Sequence, residues 1–137
     1  MKRTYHGSCH CKAVTYEADL DLDQGTGKCN CTFCWKRRAW SAGHLGPDDF
    51  RLLSGEDVLA DYGKSGEWGE THNRFCKTCG VATHGYGSID AMGGAFFAVL
   101  LPTLARQRWR DGLRPRTWCT TPLLASGVAA GMSTATA

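Results

Sequence analysis

The chain has 137 residues and a mass of 14.9 kDa, a size that fits one domain and allows a buried core without disulfide staples. Charged residues make up 21% of the sequence and hydrophobic residues 42%, proportions that exclude extended disorder for most of the chain. The net charge is only +3, and residues 1–99 hold 11 Lys and Arg against 12 Asp and Glu, so nucleic acid is not a favoured partner.

Short strands are the predicted elements of residues 1–99, because apolar runs are brief and are separated by Gly, Asp and Asn, with no sustained helical period. A helical turn at Pro47 and a short helix over residues 35–38 interrupt them. This pattern predicts a mainly β fold, a small sandwich or barrel-like structure with short helical turns. In chain order, the predicted strands are residues 12–18, 40–45, 58–62, 70–75, 81–86 and 95–99.

The composition changes after Val99. Residues 100–137 hold 5 Arg against 1 Asp, and the chain ends in small residues that offer little to a core. We therefore expect a core domain over residues 1–99 and a divergent tail, partly packed or frayed, over residues 100–137. No run approaches the roughly 20 apolar residues of a membrane helix, and no secretory signal follows Met1, so we expect a cytoplasmic protein without a membrane partner.

Eight cysteines are the unusual feature of the composition. In a chain without an export signal, so many cysteines favour metal or thiol chemistry over a disulfide framework. Cys119 stands apart in the sequence, and we expect it to be an unligated thiol. The other seven form three groups, which are Cys9 and Cys11, then Cys29, Cys31 and Cys34, then Cys76 and Cys79.

The spacing within these groups is typical of metal ligands. Residues i and i+2 of a strand share a face, so we expect Cys9 and Cys11 to present both thiolates to one ion. The two-residue gap between Cys76 and Cys79 is that of a metal knuckle, and the same gap separates Cys34 from the cysteine before it. Zinc is the metal that such thiolates favour, with an iron centre as the competitor.

Seven cysteines divide most simply into four and three, because a structural zinc closes its shell with four ligands and a catalytic zinc keeps one position open. The three cysteines at 29, 31 and 34 are close enough in sequence to wrap one ion, which leaves the two outer pairs to meet. The spacing also allows one zinc closed by four cysteines, with the remaining three thiols free.

Three segments together resemble a known family. They are residues 7–17, Cys29-Asn30-Cys31-Thr32-Phe33-Cys34, and residues 72–80, and residues 93–99 extend the likeness. The sequence is similar to the glutathione-dependent formaldehyde-activating enzymes, which share their domain with centromere protein V. The resemblance covers roughly residues 5–99 and implies a β-rich fold like that of the small zinc-binding guanine-exchange chaperones.

The resemblance also implies two zinc ions. One is structural, on Cys9, Cys11, Cys76 and Cys79, and the other is labile and catalytic, on Cys29, Cys31 and Cys34. The implied activity is that of a carbon–sulfur lyase or synthase, which joins a thiol such as glutathione to an aldehyde such as formaldehyde.

Basic and aromatic residues follow the three-cysteine group directly. Arginine grips carboxylates in two-pronged contacts, so we expect Trp35, Arg37 and Arg38 to contact a peptide-like thiol. Two alternatives stay open: a non-enzymatic zinc module that binds protein or nucleic acid, and a redox or metal-buffering protein. The sequence also leaves a homo-oligomer open.

Overall fold

Strands dominate the structure, a computed structural model that describes residues 1–105. The predicted tail beyond Ala105, with Cys119, lies outside the described residues. Within residues 1–105 there are one α-helix, α1 at Thr32–Arg37, and short 3-10 turns, of which one falls at Pro47–Asp49 as the sequence predicts. The strands are β1 (Arg3–Ser8), β2 (Thr15–Leu20), β3 (Thr26–Gly27), β4 (Ser41–Leu45), β5 (Phe50–Ser54), β6 (Leu59–Gly66), β7 (Gly69–Cys76), β8 (Ala82–Ile89) and β9 (Gly94–Leu100).

Two antiparallel sheets are built from these strands. One sheet has three strands in the order β1-β2-β5, and the other has six in the order β3-β4-β9-β8-β7-β6. The predicted mainly β fold is confirmed, and in the described residues the sheets keep free edges instead of closing into a barrel.

Alternation along β1 and β2 explains how a polar sequence forms the smaller sheet. Tyr5 and Gly7 of β1 are buried, as are Tyr16 and Ala18 of β2, while their neighbours face outward. Gly7 has to be a glycine, because a Cβ at this position would lie 2.1 Å from the ring of Tyr16. Strand β1 has no clear signal in the sequence, because Tyr5 is its only large apolar residue.

Aromatic rings join the two sheets in the main core. The ring of Phe50 in β5 lies 5.4 Å from Tyr16, 4.5 Å from His84 in β8 and 4.9 Å from Phe97 in β9. Such ring pairs add to the free energy of burial by about 1 kcal/mol each. The buried residues of this core are Tyr5, Tyr16, Ala18, Leu20, Ala42, Leu45, Phe50, Val99, Leu101 and Leu104.

The chain immediately after β9 packs into the same core. Leu101 and Leu104 are buried, and the Tyr16 hydroxyl donates to Thr103 Oγ1 at 2.6 Å. Residues up to Ala105 therefore belong to the compact unit that begins at Met1. Among the residues that the structure describes, no helix is long and apolar enough to cross a membrane.

Candidate metal centres

Four cysteines from two distant turns meet in a second, smaller core. Cys9 and Cys11 lie in the turn between β1 and β2, Cys76 ends β7, and Cys79 lies in the turn before β8. All four sulfur atoms are within 4.8 Å of one another. We call these residues the four-cysteine cluster. Leu59 and Val14 pack beside it, so the cluster is embedded in apolar side chains.

Both turns depend on residues with positive φ. Lys12 has a φ of 63° and Gly80 a φ of 75°, and each follows the second cysteine of its pair. The structure corrects the prediction that Cys9 and Cys11 share one face of a strand, because both lie beyond the end of β1 in the turn. The turn brings their sulfur atoms to 3.5 Å, so the expected pairing of the thiols occurs for a different reason.

The sulfur spacing fits zinc. A tetrahedral Zn–S distance of about 2.3 Å places neighbouring sulfur atoms about 3.8 Å apart. The Cys9–Cys11 and Cys11–Cys76 sulfur distances are 3.5 and 3.7 Å. Cys9 and Cys76 are buried, whereas Cys11 is exposed. Four thiols around one centre form the donor set of a closed structural zinc site.

Backbone N–H groups favour the thiolate form of Cys76 and Cys79, two of the four cysteines in this cluster. The N–H groups of Cys11 and Val81 lower the pKa of Cys79 to about 6, and that of Cys79 lowers the pKa of Cys76. Val14 donates its N–H to the sulfur of Cys9 at 3.4 Å. Hydrogen bonds of this kind stabilise negative charge on sulfur, which is the form that binds metal.

The remaining three clustered cysteines meet beside helix α1. The sulfur atoms of Cys29, Cys31 and Cys34 lie within 4.8 Å of one another, and we call these residues the three-cysteine cluster. Within residues 1–105, this group contains three thiols, with no histidine or carboxylate at the same spacing. The structure thus brings the seven cysteines together in the four-and-three grouping that their spacing favours.

Helix α1 orders the three thiols through its first turn. Cys31 is the N-cap residue, and its sulfur accepts the N–H of Cys34 at 3.4 Å. This hydrogen bond lowers the pKa of Cys31 to about 7, while burial raises the pKa of Cys34 to about 12. The N–H of Cys31 in turn donates to the sulfur of Cys29 at 3.4 Å.

Exposure distinguishes the two clusters. Cys29 and Cys31 are exposed and Cys34 is half-buried, whereas the four-cysteine cluster contains two buried thiols. Three thiols at the surface can hold an ion and leave a coordination position for a small molecule. The three-cysteine cluster is therefore the more accessible of the two to small molecules.

The predicted substrate contacts lie on and just after α1. Trp35 is 55% exposed, and Arg38 is exposed with a φ of 56° at the end of the helix. Arg37 is half-buried and donates a hydrogen bond to Asn73 Oδ1, with its guanidinium carbon 5.2 Å from the Phe33 ring centroid. Burial lowers the pKa of Arg37, and negative charge on the Cys34 sulfur, when that thiol is ionised, acts in the opposite direction.

Residues of the β6–β7 hairpin pack against helix α1, which carries Cys34. Phe33 stacks on Tyr62 with ring centroids 5.3 Å apart, and the ammonium of Lys64 lies 5.6 Å from the Phe33 ring. Asn73 donates from Nδ2 to the Tyr62 carbonyl at 3.3 Å. Sequence reasoning missed these residues because their contacts join segments that are distant in the chain.

The histidines lie outside both clusters, as the sequence analysis expects from their spacing. His84 is buried between aromatic rings, and burial lowers its pKa to about 4. His72 pairs through Nδ1 with Asp61 and stacks on Tyr86 at 4.7 Å. Their contacts account for them as structural residues.

The fold and the two clusters define the class of protein: a small, mainly β protein with two sets of cysteine thiols that could each hold a metal ion. The model of one family, described as glutathione-dependent formaldehyde-activating enzyme, matches residues 4–121. The chain belongs to this family. The match continues past Val99 and so includes part of the predicted tail.

A solved structure has the same fold. It is the crystal structure of a Rhodobacter sphaeroides protein, which is 29% identical to this chain and superposes with a TM-score of 0.64. The alignment covers 77% of this chain and 93% of that chain. No curated protein matches the sequence.

Proposed function

We propose that this protein joins glutathione, or a similar thiol, to an aldehyde such as formaldehyde in a zinc-dependent reaction. It would thus act as a carbon–sulfur lyase or synthase of the S-(hydroxymethyl)glutathione synthase type. The S–H bond of the thiol breaks, a C–S bond forms, and the proton ends on the former carbonyl oxygen. No oxidant or reductant is consumed. Membership of the family supports the two substrate classes, a thiol and an aldehyde.

The exposed three-cysteine cluster is the observation that carries this proposal. Its thiols are available to bind an ion at the surface, with Cys31 favoured in the thiolate form because the Cys34 N–H lowers its pKa to about 7. Zinc held there supplies a Lewis acid that lowers the pKa of a substrate thiol at its open position. A structural zinc site closes its shell with four protein ligands, so an exposed set of three thiols favours an open site.

The division of labour between the clusters follows from burial. The four-cysteine cluster joins the β1–β2 turn to the β7–β8 turn, and we assign it a structural zinc. We assign the second, labile zinc to the three-cysteine cluster. Both assignments need reduced thiols, and the cysteines of the described residues are free, which supports a reducing compartment such as the cytoplasm.

We assign binding of the thiol's peptide portion to Trp35, Arg37 and Arg38. Trp35 and Arg38 are exposed one residue and four residues after Cys34, so a ligand at the cluster can reach them. Arg37 already donates to Asn73, and a guanidinium has further N–H groups for a carboxylate. Charged contacts of this kind favour an anionic thiol over a neutral one.

The proposal is tested by NMR exchange spectroscopy of glutathione mixed with formaldehyde. The protein with both clusters loaded with zinc should accelerate exchange between free glutathione and its S-hydroxymethyl adduct. Cys31→Ser should reduce this acceleration by more than about tenfold, since even partners of metal ligands have effects of that size. Cys119→Ser, a change outside both cysteine motifs, is the matched control and should retain it.

Two results would contradict the proposed function. One is an unchanged exchange rate when the zinc-loaded protein is added. The other is full acceleration by Cys31→Ser, which would place any activity away from the three-cysteine cluster.

A further inference from the structure

Arg37 shares helix α1 with Cys34, a member of the three-cysteine cluster. It follows Cys34 by three residues in α1, and residues at this spacing are neighbours on one side of a helix. An ionised Cys34 sulfur, the form that binds metal, would attract the Arg37 guanidinium and raise the pKa of Arg37.

Two contacts hold the guanidinium in place. Arg37 donates to Asn73 Oδ1, and its guanidinium carbon lies 5.2 Å from the Phe33 ring centroid. Asn73 is itself fixed, because its N–H donates to Asp61 Oδ1 at 3.0 Å and its Nδ2 to the Tyr62 carbonyl. Asn73 of β7, fixed by two hydrogen bonds to β6, and Phe33 of α1 therefore determine where the positive charge sits.

A zinc ion with three thiolates carries a net charge near −1. A permanent positive charge next to it offsets this excess, and the attraction is larger in a half-buried place than in bulk water. Arg38, in contrast, is exposed, and the effect of its charge on the cluster is reduced by water and salt.

We propose that Arg37, held by Asn73 and Phe33, is a positioning residue that sets the zinc affinity of the three-cysteine cluster by compensating its negative charge. This inference rests on the proposed function only in its assignment of zinc to that cluster. In this role Asn73 of β7 acts on the three-cysteine cluster indirectly, because it holds the Arg37 side chain in position.

The test is a zinc titration of the full chain, with the four-cysteine cluster already loaded, in competition with a chromophoric chelator. Arg37→Gln should weaken zinc binding at the three-cysteine cluster about tenfold, an effect expected of residues that support metal ligands. Arg37→Lys retains the charge and should restore most of the affinity. Asn73→Ala, which releases the guanidinium, should weaken binding in the same direction by a smaller factor.

Arg38→Gln is the matched control, since it removes the same charge from the next residue and should change the affinity less than about twofold. Zinc retained by the four-cysteine cluster reports that each variant is folded. The inference would be overturned if Arg37→Gln and Arg38→Gln weakened zinc binding equally, or if Arg37→Gln and Arg37→Lys did so. It would also be overturned if the unaltered chain bound no second zinc. If the variants show the zinc affinities expected here but the protein does not accelerate glutathione exchange, the proposed function is contradicted and this inference stands.

Discussion

The sulfur of Cys31 shows how one atom serves both the helix and the cluster. As the N-cap it accepts the Cys34 N–H, a role usually taken by the oxygen of Ser, Thr, Asp or Asn. The same hydrogen bond lowers the pKa of Cys31 to about 7, so a large share of this thiol is ionised at neutral pH. Helix formation and metal-binding capacity are therefore linked at a single residue.

A second residue with a defined role is Tyr16, which is completely buried and donates to Thr103 Oγ1. The Thr103 hydroxyl donates its own hydrogen bond to the Leu100 carbonyl at 2.7 Å. Thr103 Oγ1 is therefore the acceptor in its hydrogen bond with Tyr16. Tyr16→Phe should lower the free energy of unfolding by about 1–2 kcal/mol, because it leaves a buried oxygen without its hydrogen bond. Urea unfolding of the zinc-loaded protein measures this change.

Tyr62→Phe is the control for that measurement. Tyr62 is 50% exposed, so removal of its hydroxyl should leave the free energy of unfolding within about 0.5 kcal/mol of the parent value. Equal losses in the two variants would contradict a specific role for the bond between Tyr16 and Thr103.

The sequence predicts which cysteines come together, but it does not predict the backbone conformation that brings Cys9 and Cys11 together. Two-residue gaps predict knuckles, and Cys76 and Cys79 form one. The pair Cys9 and Cys11 also converges, yet through a turn with Lys12 at positive φ, a conformation that a lysine rarely signals. The Asn73–Arg37 contact has no local signal, because its partners are 36 residues apart.

At the scale of elements, an ionic network joins the strands of the smaller sheet. Asp19 in β2 pairs with Arg51 in β5 at 2.8 Å and accepts from Thr4 in β1 at 2.6 Å. These contacts hold the pKa of Asp19 well below its usual range, the hydrogen bonds from Arg51 having the largest effect. The network fixes all three strands of the sheet through one carboxylate.

Asp19→Asn should therefore lower the melting temperature near pH 7. A carboxylate with a depressed pKa in the folded state stabilises the protein above its unfolded pKa of about 3.9, and the stabilisation is lost as the pH falls through the folded value. The difference in melting temperature between parent and variant should thus shrink below about pH 4. Thermal unfolding monitored by circular dichroism from pH 7 to pH 3 measures it.

Asp57→Asn removes the same charge at an exposed position before β6 and serves as the control. It should change the melting temperature little at any of these pH values. A difference for Asp19→Asn that persists undiminished at pH 3 would show that its carboxylate charge is not the source of the stabilisation.

The elements themselves were predictable where the local pattern was strong. The strands near residues 58–62, 70–75, 81–86 and 95–99 are present as β6 to β9, each longer than predicted because hairpin pairing extends them. The helix begins at Thr32, before the predicted residues 35–38, because a cysteine cap is not part of the usual helix-start pattern. β5 was missed because it pairs with β2 from a distant part of the sequence.

At the scale of the whole described unit, the two clusters differ in what they connect. The four-cysteine cluster joins turns that belong to different sheets, so a metal ion bound there would tie the unit together. The three-cysteine cluster is local to one turn and one short helix, so an ion bound there would be able to exchange without disrupting either sheet. A stable site and a labile site are thus consistent with one small fold.

Native mass spectrometry of the purified chain, with and without glutathione, counts the metal ions that the two clusters hold. We expect two zinc ions per chain, with one resistant to chelator and the other either binding glutathione or displaced by it. Cys31→Ser should lose the second ion and keep the first. One tightly held zinc, no second ion and no interaction with glutathione would contradict the central claim and reduce Cys29, Cys31 and Cys34 to spare thiols.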